Sequence, residues 1–76
     1  MSEKSAGIKI CLLLRELEQT EPGSEKHRLA VKKTADYIKK NTVGNLIWLR
    51  ELAEKNFSGM DSDALQSLLV PLERKF

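Results

Sequence analysis

Residues 6–25 read AGIKICLLLRELEQTEPGSE, and this stretch decides the fold. Ala6, Ile10, Leu13, Leu14 and Leu17 recur at the i, i+4, i+7, i+8 spacing that gathers side chains on one side of an α-helix. Thr20-Glu21-Pro22-Gly23-Ser24 then stops the pattern, because proline cannot continue a helix and glycine readily takes the turn. Ser24 stands where a following helix needs an N-cap, with a hydroxyl oxygen that can accept from a free first-turn N–H. A helix, a sharp break and a capped helix predict an all-helical chain that opens with helices over 5–19 and 25–40.

The rest of the chain continues in the same way. The second helix presents Ala30, Val31, Thr34, Tyr37 and Ile38 as its apolar side. Asn41-Thr42-Val43-Gly44-Asn45 is the next break, with Gly44 free to take a positive φ and Asn45 or Thr42 able to cap the next helix. A third helix over 46–56 carries Leu46, Leu49, Leu52 and Ala53, and Ser58-Gly59 ends it. Met60 and Asp61 read as a hydrophobic staple and its N-cap, Met60 packing on Leu65. The fourth helix carries Leu65, Leu68, Leu69, Leu72 and Phe76. Pro71 interrupts that seam, and its missing N–H predicts a kink or an end near Val70. Nothing alternates with the period of two that marks strands, and no repeat is visible. The expectation is all-α, a compact bundle of three to four short helices forming a single domain over residues 1–76.

Composition narrows the functional classes. The 76 residues are 41% apolar and 32% charged with a net charge of +2, too apolar and too mixed in charge for a disordered chain. Cys11 is the single cysteine, so there is no internal disulfide framework and no Cys pair for zinc. No run reaches the roughly 18 apolar residues of a membrane-spanning helix. Lys4 and Lys9 ahead of Ile10-Cys11-Leu12-Leu13-Leu14 faintly resemble a signal peptide. The apolar run is too short, however, and Arg15, Glu16 and Glu18 come directly after it. These features predict a cytoplasmic protein, read from its Met1 start as a complete short chain.

Catalytic chemistry has few candidates. His27 lies between Lys26 and Arg28 in the first turn of a helix and reads as a solvated side chain, with a phosphate contact as the alternative. Cys11 sits in an apolar run and reads as an ordinary core or interface residue with an inert thiol. Glu16 with Glu18, and Asp61 with Asp63, are two residues apart and so point to different sides of a helix. Asp61 and Asp63 suit the positive end of a helix dipole. No Gly-rich phosphate loop and no metal-ligand spacing occurs. The chain is expected to be no enzyme, with no cofactor, no metal and no small-molecule substrate.

Two surface features remain. The first is an apolar surplus. Outside Met1 and the alanines there are 25 large apolar residues, whereas a bundle of this size hides about 15–20 of them. Ile8, Cys11 and Leu12 lie on a different side of the first helix from its main stripe, and Ile47 and Trp48 widen the third. Ile8, Leu12, Ile47 and Trp48 are therefore the expected anchors of an interface with a second copy or a partner helix. The competing reading has loops and the fourth helix covering them.

The second is a basic helix. Residues 25–40 set Lys26, Arg28, Lys32, Lys33, Lys39 and Lys40 against Glu25 and Asp36. Lys26, Lys33 and Lys40 recur every seven residues on one face, with Lys32 and Lys39 on an adjoining strip. Lys26, Lys32, Lys33, Lys39 and Lys40 are thus candidate contacts for phosphates or an acidic partner, against the plainer reading of a solvated face. In addition, Leu49-Arg50-Glu51-Leu52-Ala53-Glu54-Lys55 resembles the first helix of helix-turn-helix units, and Leu68-Leu69-Val70-Pro71-Leu72-Glu73-Arg74-Lys75 resembles the end of a recognition helix. That resemblance covers residues 29–76 and implies DNA binding. It departs at Asp61, Ser62, Asp63, Gln66 and Ser67, which would bring negative charge toward phosphates.

The sequence therefore predicts a small non-enzymatic protein–protein interaction module, an adaptor, regulatory or assembly protein that self-associates through an apolar helix face. The alternative is a nucleic-acid-binding module using the lysines on phosphates.

Overall fold

The computed structural model describes residues 3–42, 44–55 and 60–76. Among them are four α-helices: α1 (Glu3–Glu18), α2 (Glu25–Asn41), α3 (Ile47–Glu54) and α4 (Ser62–Lys75). The described residues contain no strand. The all-α bundle expected from the sequence is the observed fold.

The break between α1 and α2 is made by the residues that announce it. Gly23 adopts φ 87°, a left-handed conformation that residues with a Cβ resist. Ser24 caps α2, its Oγ accepting from the His27 backbone N–H at 3.1 Å. The junction after α2 differs from expectation. Thr42 closes α2 rather than opening α3: its backbone N–H and its hydroxyl both donate to the Ile38 carbonyl. Gly44 then turns at φ 64° into a 3₁₀ turn, Gly44–Leu46, that runs straight into α3. Leu46 occupies the N-cap position, where its hydrocarbon side chain has no acceptor to offer and is buried in the core. The side chain of Asn45, the other expected cap, lies outside the described residues, as do Asn56 and the stop at Ser58-Gly59. At α4 the Asp61 carboxylate accepts from the Ala64 N–H at 2.9 Å. Met60 packs half-buried against the cluster that contains Leu65.

Pro71 does not end α4. The helix continues past it to Lys75. Leu69 and Leu72 are both buried, so packing pins the helix on either side of the proline. Pro71 itself faces solvent, where water can serve the Ser67 carbonyl that lacks its helical donor.

The helices pack in the order α4, α1, α2, α3, each against its neighbours in that row. α1 is therefore flanked on both sides, and α3 leans on α2. Ile10, Leu14, Leu17, Ile38, Leu49 and Leu72 form the centre of one shared core. α3 and α4 do not form the close pair that a helix-turn-helix unit requires, because α4 packs along α1 instead. Gly7 explains how α4 approaches: the Phe76 ring occupies the space a Cβ at position 7 would take. Alanine here gains about 1 kcal/mol of helix propensity but displaces that ring. In a double-mutant cycle followed by urea unfolding, Gly7→Ala should destabilise the wild type and stabilise Phe76→Ala. Equal effects in both backgrounds would mean the ring does not depend on the glycine.

Candidate functional site

α1 is apolar around most of its circumference. Ala6, Ile10, Leu13, Leu14 and Leu17 are buried, as the stripe requires. Cys11 is buried with them. The surplus face therefore lacks Cys11 and comprises Ile8 and Leu12, which are 43% and 55% exposed. They sit one turn apart on the side of α1 facing away from its neighbours. The flanks of that strip are marked by side-chain contacts: Arg15 pairs with Glu73 of α4, and Glu16 stands 4.0 Å from Lys33 of α2.

Ile47 and Trp48 of α3 are 51% and 43% exposed. All four expected anchors are thus exposed, and among the described residues α4 does not bury any of them. They are nonetheless not one patch: α1 and α3 lie on opposite sides of α2 in the packing order, giving two separate apolar surfaces. Leu29 and Val70, absent from the expected anchors, are also exposed at 58% and 43%. The basic residues around Leu29 disguise it, although its position opposite the stripe of α2 is visible in the sequence.

The lysines of α2 are all at the surface. Lys39 stands 4.0 Å from Asp36, and Arg28 stands 3.8 Å from Glu25. An open groove runs along α2 beside α3, floored by Val31, Ala35 and Ala53. Arg28, Lys32 and Lys39 on its walls face Glu25, Asp36 and Glu54, so the groove carries no net charge to draw an anion in.

His27 departs from the solvated position expected of it. At 6% exposure it belongs to the interior, on the same side of α2 as Val31, Thr34 and Ile38. The Thr20 hydroxyl donates to the Leu17 carbonyl at 2.7 Å, so its single hydrogen is spent there. Thr20 Oγ1 lies 2.8 Å from His27 Nδ1, which must therefore donate to it. Nε2 is buried without a hydrogen-bond partner among the described residues. The residue ties the α1–α2 turn together and is not placed for a phosphate contact.

The Cys11 thiol is held above its ordinary value of 9.0, first by burial and then by the Glu73 carboxylate, against a smaller opposing effect of Arg15. At pH 8 the folded protein should alkylate with iodoacetamide far more slowly than the urea-unfolded chain, since the thiolate is the nucleophile. The neutral thiol favours the native state fully below pH 9.0, and that contribution is lost as pH rises through the higher native value. Cys11→Ala should accordingly show a shallower alkaline fall in stability.

Among the described residues no group of three or more His, Cys, Asp or Glu side chains could hold a metal ion, and no helix is long and apolar enough to cross a membrane. The chain matches no protein-family model, no curated protein and no solved structure.

Proposed function

We propose that this protein is a small non-enzymatic interaction module that acts by burying an apolar helix face against another protein chain, self-association included. The observation that carries this reading is the exposure of Ile8 and Leu12 on α1, a helix whose remaining apolar side chains are packed into the core. Two large aliphatic side chains one turn apart make a strip of the kind that seats another helix. Ile47 and Trp48 offer a second anchor point on α3, tryptophan being a frequent centre of binding energy. Lys26, Lys32, Lys33, Lys39 and Lys40 supply a basic surface that would steer an acidic partner at the rim.

The test is the solution mass by light scattering at low and high salt. A dimer or larger species that survives high salt, and that Leu12→Glu or Trp48→Glu reduces to monomer, is the expected result. A monomer in both conditions would remove self-association from the reading. Binding to duplex nucleic acid that weakens steeply with salt and disappears in Lys33→Glu would replace it with the phosphate-binding alternative.

A further inference from the structure

We draw no further inference here: the strongest candidate, the open groove along α2 beside α3 with Val31, Ala35 and Ala53 as its floor, carries none, because its charged walls balance, the unpartnered Nε2 of His27 is shut off from solvent, and nothing in the structure shows what covers it.

Discussion

Leu14→Ala should lower the stability of this protein by about 3 kcal/mol and its melting temperature by roughly 12–24 °C, as read by the helical circular-dichroism signal. Leu14 has no solvent exposure and lies on α1, the helix with neighbours on both flanks. Truncating it opens a cavity in the shared core of Ile10, Leu17, Ile38 and Leu72, and helices pinned on both sides cannot collapse to fill it. A chain of 76 residues has a total stability of about 4–11 kcal/mol, so this one change removes a large share. Leu12→Ala is the matched control. The same chemical change on the outer face of the same helix should shift stability by less than about 0.5 kcal/mol, because Leu12 is 55% exposed. Equal losses at the two positions would mean that Leu12 is covered in the folded protein. A small loss at Leu14 would mean that α1 is not the centre of the core.

Much of α1 is legible in the sequence. A run of apolar residues at helical spacing has one economical interpretation, and Ile8 and Leu12 stand out as its excess. Cys11 reads as part of that excess because it lies between them in sequence, although its direction on the helix falls beside Gly7 and Leu14, which are buried. An end of α4 at Pro71, one of the two outcomes that its missing N–H allows, gives way to the burial of Leu69 and Leu72 on both sides of it. The junction before α3 is illegible for a different reason. Thr42 can serve either end of a break, and the choice is made by its burial at 2% exposure with the Ile38 carbonyl in reach. Interfaces are harder still, since a sequence shows the surplus without its placement. The packing order of the helices, a property of the whole fold, is what separates Ile8 and Leu12 from Ile47 and Trp48.

At His27 sequence and structure part furthest, and this residue carries the second large prediction. Lys26 and Arg28 on either side suggest solvent, yet position 27 lies four residues before Val31 and seven before Thr34, on the buried stripe itself. Periodicity of the position outranks polarity of the residue. The interior tolerates this imidazole because Nδ1 donates to Thr20 Oγ1 while the Thr20 hydroxyl hydrogen goes to the Leu17 carbonyl. Thr20→Val keeps the size of the side chain but removes the acceptor, leaving a buried N–H with nothing to bond. A stranded donor costs about 1–3 kcal/mol, so the melting temperature should fall by roughly 8–16 °C for a loss of about 2 kcal/mol. Removing both polar partners reverses most of this: in Thr20→Val combined with His27→Leu no donor is stranded, and the unpartnered Nε2 disappears as well. The double variant should therefore be more stable than Thr20→Val alone by at least about 1 kcal/mol, a coupling that independent surface positions do not show. Additive losses in thermal or urea melts would place His27 back in water and detach it from the α1–α2 turn. The predicted coupling would instead establish His27 as the internal tie holding those helices in line, leaving the outer face of α1 rigid enough to act as a surface.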